Sequence, residues 1–331
     1  MSIAHCPPFK PFRLGWHAHF QTIAAAFIRG DLGWESAMRH VVPLADGDRL
    51  VIHDNQPGNW QLGDRIAILL HGLCGSHASP YVVRAARKLR RQGIRTVRVD
   101  LRGYGDSALI SRHHLYAGCS HDLRDVIRYL RELSPESCIS LVGFSLGATI
   151  ILKTLGEWGA EAPTQVDSVV AISPPVDLMQ SGANLQRNGN RIYDHYFVRQ
   201  MKANLALRRR KVAHLVDNHL NPLPDRLVHL DDQFTAPLWG FHGARDYYEK
   251  CSSGPLLNKI QVPTIILAAE DDPVVPYSMF SNWPMSSQVE LVTTRHGGHL
   301  GFLGNRTADA DRHWMDWRVC HWIDLLKNQV E

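Results

Sequence analysis

Short apolar runs and amphipathic stretches alternate along the middle of the chain. RIAILL at 65–70, IRTVRV at 94–99, CISLV at 138–142, VDSVVAI at 166–172, VPTIILA at 262–268 and QVELVT at 288–293 each have the length and β-branched content of a buried strand. Between them apolar residues recur at helical spacing. Val82, Ala86 and Leu89 line one face of a helix expected near 80–91, which stops at Gly93. Leu123, Val126, Ile127 and Leu130 form the stripe of another, at about 122–133. Further helices are expected at about 146–158 and over HWMDWRVCHWIDLLKNQ at the end. Alternation of this kind predicts a parallel sheet with right-handed crossovers.

Ahead of the alternation, an irregular N-terminal segment leads into RHVVPL and RLVIHD. These flank ADGD and read as an antiparallel hairpin closed by a tight Asp-Gly turn, which brings the expected strand count to eight. From 173 to 261 the alternation lapses into a helical, aromatic and basic stretch that includes NRIYDHYFVRQMKANLALRRRKVAHL. A structureless loop of that length is foreign to a compact domain, so a helical cap inserted between strands six and seven is expected. The fold class is therefore α/β: an eight-stranded, mostly parallel sheet with helices on both faces and an inserted cap. Residues 1–173 make the N-terminal segment and the first part of the core, 174–260 the cap and 261–331 the rest of the core. Tyr193, Tyr196, Phe197, Trp239 and Phe241 are expected mostly as cap core, and the pattern does not say which of them line a pocket.

With 331 residues, 44% of them apolar, the chain can bury a large core, and its formal net charge of +4 is small. Basic residues cluster at 84–102 and 208–211. They read as solvated helix faces, with a contact to anionic lipid, nucleic acid or substrate as the rival. The six cysteines contain no CxxC pair, which fits reduced thiols in a cytosolic setting. Early prolines and charges break the apolar run that a signal peptide would need, and the longest uncharged run, 137–152, is too short to span a bilayer. A soluble cytoplasmic protein is expected, with peripheral membrane contact left open.

The chemistry centres on LVGFSLGAT, where Gly143, Ser145 and Gly147 interrupt an apolar run. CISLV is a strand and LGATIILKTL a helix, so Ser145 sits on the junction. A strand that turns directly into a helix strains the turn residue and crowds the positions two away on either side, which is why both are glycine. The serine is thereby presented as a nucleophile, and a serine needs a base and a group to orient that base. In the order serine, acid, histidine, the acid candidates are Asp272, which directly precedes Pro273, then Asp271, and Asp177 after strand six; Asp271 and Asp272 also suit simple helix capping. For the base, His299 after Gly297 and Gly298 is preferred to His296. The loop HGLCGSH supplies candidate oxyanion donors in the amides of Leu73 and, just past the nucleophile, Leu146; His71 reads as an anchor of this loop.

LLHGLCGS, DLRGYGDS, GFSLGA, EDDPVVP and GGHLGF together resemble the α/β-hydrolase superfamily. WHAHFQTI, SPYVVRAARKL, SPPVDL and FTAPLWGF resemble its YheT-like, embryogenesis-associated branch, so the likeness runs from about Phe12 to Leu326. The resemblance implies a serine carboxylester hydrolase with a triad at Ser145, Asp272 and His299, acting on a small or lipid-like ester through an acyl-enzyme. Some animal relatives carry an N-terminal membrane anchor that this sequence lacks, which argues against membrane residence. Acyl transfer to another alcohol uses the same triad and stays open, as does an inactive hydrolase fold that binds lipid or a partner. No HExxH, no zinc-spaced Cys/His cluster and no completed phosphate loop is present, so neither a metal nor an organic cofactor nor a nucleic-acid partner is expected.

Overall fold

The computed structural model describes residues 7–12, 16–28, 30, 32–33, 36–212, 222–305 and 309–327. Cys6 and residues 213–215, the end of the long basic stretch expected as helix, lie outside the described residues. Eight strands form one sheet: β1 (Met38–Pro43), β2 (Arg49–Asn55), β3 (Ile66–Leu70), β4 (Arg95–Asp100), β5 (Ile139–Phe144), β6 (Ser168–Ile172), β7 (Thr264–Ala269) and β8 (Val289–Thr294). Their order is β1-β2-β4-β3-β5-β6-β7-β8. The first two pair as a hairpin with Val42 opposite Leu50, β2 runs antiparallel to β4, and every other pairing is parallel.

Both faces of the parallel strands are buried, so alternate side chains serve two cores. Ala67, Leu69, Val142 and Phe144 pack on one side with residues of helices α2 (Pro80–Arg91) and α10 (Trp314–Lys327). Ile66, Ile68, Leu70 and Leu141 pack on the other with α3 (Ser120–Leu133) and α4 (Leu146–Trp158). Trp322 on α10 is fully buried; truncating an aromatic in such a core costs about 3–5 kcal/mol. No described helix is long and apolar enough to cross a membrane.

Between β6 and β7 lie α5 (Leu178–Leu185), α6 (Arg191–Lys211), α7 (Leu227–Leu230), α8 (Ala236–Leu238) and α9 (Ala244–Cys251). A π turn over Asp231–Thr235 joins α7 to α8. Tyr116 of the core packs at 4.3 Å on Trp239, and Phe241 on Tyr247, so Trp239 and Phe241 are partly buried in aromatic contacts.

Two expectations are corrected. The N-terminal segment is not wholly irregular: α1 (Ala18–Phe27) packs against the loop that follows β8, through Gln21, whose amide bonds Leu303 in both directions at 2.7 and 3.1 Å. The basic clusters are not simply solvated faces. Arg84 and Lys88 are buried against Asp316 at 2.7 and 3.1 Å, Arg95 against Asp54, and Arg102 against Asp46, Asp48 and Asp122. Arg208 is likewise buried, donating to the carbonyls of Ala108, Ser111, Arg112 and His113 and so tying α6 to the core. Helical spacing cannot distinguish an exposed arginine from one whose carboxylate arrives from a distant segment. The pair must form, because a lone buried charge would cost several kcal/mol.

Candidate active site

β5 ends at Phe144 and α4 begins at Leu146, so Ser145 alone makes the turn, with φ 51° and ψ −120°. That region is sparsely populated for a residue with a side chain and costs roughly 1–3 kcal/mol, which the packed flanks must offset. A Cβ on Gly143 would lie 2.5 Å from the Ala148 Cα, and one on Gly147 2.5 Å from the His71 carbonyl oxygen. Both contacts are with backbone, which cannot yield, so any larger residue would push the strand and helix apart.

His299 is held in the loop after β8 by three devices. Gly297 and Gly298 take positive φ of 154° and 58°. A Cβ on Gly298 would come within 2.5 Å of the Ala18 carbonyl oxygen, so α1 presses directly on this glycine. The His299 amide then donates to Thr22 Oγ1 at 2.8 Å. From this position its Nε2 lies 2.9 Å from Ser145 Oγ and its Nδ1 2.9 Å from Asp272 Oδ2. Asp272 is buried, and its other oxygen accepts from the amides of Val274 and Val275, so the capping role and the histidine contact coexist in one carboxylate.

The rival candidates fall elsewhere. Asp271 accepts from the Gly298 amide at 2.9 Å and faces His296 at 3.3 Å, making a second acid–histidine pair that does not include Ser145. Burial raises the Asp271 carboxyl, and these donors limit the rise. Asp177 caps α5, accepting from the Gln180 amide. His71 is fully buried, its Nδ1 2.7 Å from the Gly72 carbonyl and its Nε2 accepting from the Leu101 amide. Burial lowers its pKa, so the ring stays neutral and pins the loop.

That loop closes on Ser145. A Cβ on Gly72 would sit 3.0 Å from Ser145 Cβ, and the Gly75 amide bonds back to the Gly72 carbonyl at 3.0 Å. Leu73 lies inside this turn. Leu146 is the first residue of α4, where a helix leaves its amides without internal partners. Two cavities meet at Ser145. The inner one, about 90 Å³, is lined by Leu73, Leu146, Leu178, Leu185 and Met201 among others. The outer one, about 550 Å³, is bordered by His299, Thr22, Phe27, Tyr193 and Tyr196.

Thr22 was not among the residues singled out in the sequence, and Tyr193, expected with the cap core, borders the outer cavity. The apolar spacing of AHFQTIAAAF carried the helical signal, but nothing local tied it to His299. A further cluster lies away from Ser145: His53 and His77 stack with ring centres 3.4 Å apart, 3.1 and 2.7 Å from Asp100 Oδ2. Two imidazoles on one tetrahedral zinc hold their centres about 5 Å apart, so the stack does not suit that ion. Burial alone would raise Asp100, yet hydrogen bonds from both rings outweigh it and hold the carboxyl well below its usual range.

Residues 68–305 match the alpha/beta hydrolase fold family. The chain is 28% identical to "Putative esterase YheT" of Escherichia coli, across 95% of this chain and 92% of that protein. It is 26% identical to the embryogenesis-associated protein EMB8 of Picea glauca, across 98% of this chain and 74% of the relative. Among solved structures, the Pyrococcus furiosus esterase Pf2001 superposes with a TM-score of 0.58 at 18% identity, covering 91% of this chain and 93% of that one, a likeness of fold. The chain belongs to the alpha/beta hydrolase fold family, on its YheT-like branch.

Proposed function

We propose that this hydrolase cleaves carboxylic esters through an acyl-enzyme formed on Ser145. The observation that carries the reading is the single imidazole of His299, with one nitrogen 2.9 Å from Ser145 Oγ and the other 2.9 Å from the buried Asp272 carboxylate. As the serine oxygen attacks the ester carbonyl, His299 Nε2 takes its proton, and Asp272 holds the tautomer and stabilises the imidazolium. The amides of Leu73 and Leu146 donate to the oxyanion, where preorganised donors are worth about 2.7–4 kcal/mol each. His299 then protonates the leaving alcohol, and water activated by the same ring releases the acid. No step calls for a metal or organic cofactor.

The two cavities divide the substrate. His299 borders the outer cavity and is absent from the lining of the inner one, so the alcohol that it protonates belongs outside. The acyl group stays inside, beside Leu73 and Leu146. Around the outer cavity Phe27 is 79% exposed, and Ile23, Ile192 and Tyr196 also reach solvent, which favours a lipid-like ester met at a membrane or micelle surface. The five described cysteines are free, in keeping with a cytoplasmic setting.

A fluorophosphonate probe tests the reading: it should label the protein at Ser145, and Ser145→Ala should abolish labelling. Absence of labelling together with absence of turnover of a nitrophenyl ester would refute it.

A further inference from the structure

The inner cavity is mostly apolar, but one part of its wall is not. Ser181 from α5, Asp231 and Thr235 from the π turn and Tyr248 from α9 all line it. Ser181 is 7% exposed, and its Oγ has no hydrogen-bond partner among the described residues. A buried hydroxyl left in that state is destabilising, because it has given up water without a replacement. Asp231 is buried too and accepts from the Tyr248 hydroxyl at 2.7 Å. Burial pushes its carboxyl up to about 6 even though the Tyr248 and Thr235 hydroxyls draw it down, so near neutral pH it is chiefly ionised and its donors are those neutral hydroxyls. A wall built only to receive alkyl chains would carry none of these groups. The π turn that delivers Asp231 is itself a helical defect of the kind that clusters at functional sites.

Resting on the assignment of Ser145 as nucleophile, the geometry points to an acyl-specificity site: Ser181 with the Asp231–Tyr248 pair selects acyl chains that carry a hydroxyl group remote from the carbonyl over plain alkyl chains. The substrate hydroxyl donates to the Asp231 carboxylate and accepts from Ser181 Oγ, which adds a further donor to Asp231 and gives Ser181 the partner it lacks. A site with buried polar groups discriminates against an analogue that leaves them unpaired. The alcohol half of the ester, in the outer cavity, takes no part in this choice.

The experiment compares kcat/KM for nitrophenyl esters of butanoic, hexanoic and octanoic acids with their terminally hydroxylated counterparts. Wild type should favour the hydroxyacyl ester by about tenfold at one or more lengths, the worth of one well-made buried hydrogen bond. Ser181→Ala and Asp231→Asn should each bring that ratio down to about one. Fluorophosphonate labelling of every variant reports whether the fold and Ser145 are intact; if Asp231→Asn fails to fold, Ser181→Ala decides. Normal labelling with a preference for the plain ester at every length, or a hydroxyacyl preference that survives both substitutions, overturns the specificity site and leaves the hydrolase reading standing. Failure of wild type to label and to turn over any ester overturns both.

Discussion

The turn at Ser145 and the polar wall of the cap face the same cavity, yet they are built in opposite ways. At the turn the crowding comes from backbone within a few residues and from the adjacent strand, so Gly143 and Gly147 are required at particular positions and the motif can be read in one line of sequence. In the cap, Ser181, Asp231 and Tyr248 arrive from three separate elements, and none is demanded by its neighbours in the chain. Where backbone geometry constrains a residue, the chemistry is written locally. Where packing brings side chains together, it is not. The first region should therefore tolerate almost no change, and the second should change selectivity and pH response while leaving the turn in place.

Substitution at the reacting atoms should have the largest effect. Ser145→Ala should lower kcat on a nitrophenyl ester by roughly 10⁴–10⁶-fold, and Asp272→Asn by about 10⁴-fold, in steady-state assays at saturating ester. Next, Gly147→Ala should destabilise the fold by about 1–3 kcal/mol, because the new Cβ meets the backbone carbonyls of Leu70, at the end of β3, and His71, just past it. Denaturant unfolding would measure it, and a loss no larger than at an exposed helix position would break the contrast drawn above.

The cap makes its own prediction, through pH. Folding raises the Asp231 carboxyl from 3.8 to about 6, so the folded protein holds this proton more tightly than the unfolded chain does. The stability it contributes is complete below the unfolded value and is lost as pH rises through about 6, a change of about 3 kcal/mol at most. Asp231→Asn should accordingly raise Tm more at about pH 8 than at about pH 4. An equal shift at both would remove the case for a strained carboxyl. The smallest effect is expected at Thr22→Val, which deprives the His299 amide of its acceptor and should lower kcat by about tenfold or less with little change in KM. A larger loss would mean that α1, like the turn, tolerates almost no change.

Much of this architecture was legible beforehand. The eight strands and the cap followed from where apolar runs of strand length alternated with helical stripes and where that alternation stopped. α1 was not, because its signal is a single short helix whose importance lies in pressing on Gly298. The arginines at 84, 95, 102 and 208 are not the solvated faces expected, since a charge on a helix, strand or loop gives no sign of the aspartate or carbonyl that will cover it.

What the sequence by itself determined is whatever short-range sterics and hydrophobic period control: the strand and helix pattern, the glycines around Ser145, and the two loops that carry acids and histidines. Tertiary structure decided which of those groups meet. Asp271 and Asp272 are chain neighbours, yet one turns to His296 and the other to His299, and only His299 reaches a serine 154 positions away in the chain. Adjacent residues on a turn point in different directions, and only the packing of α1 and β8 against the carboxyl end of the sheet selects the direction that closes the site.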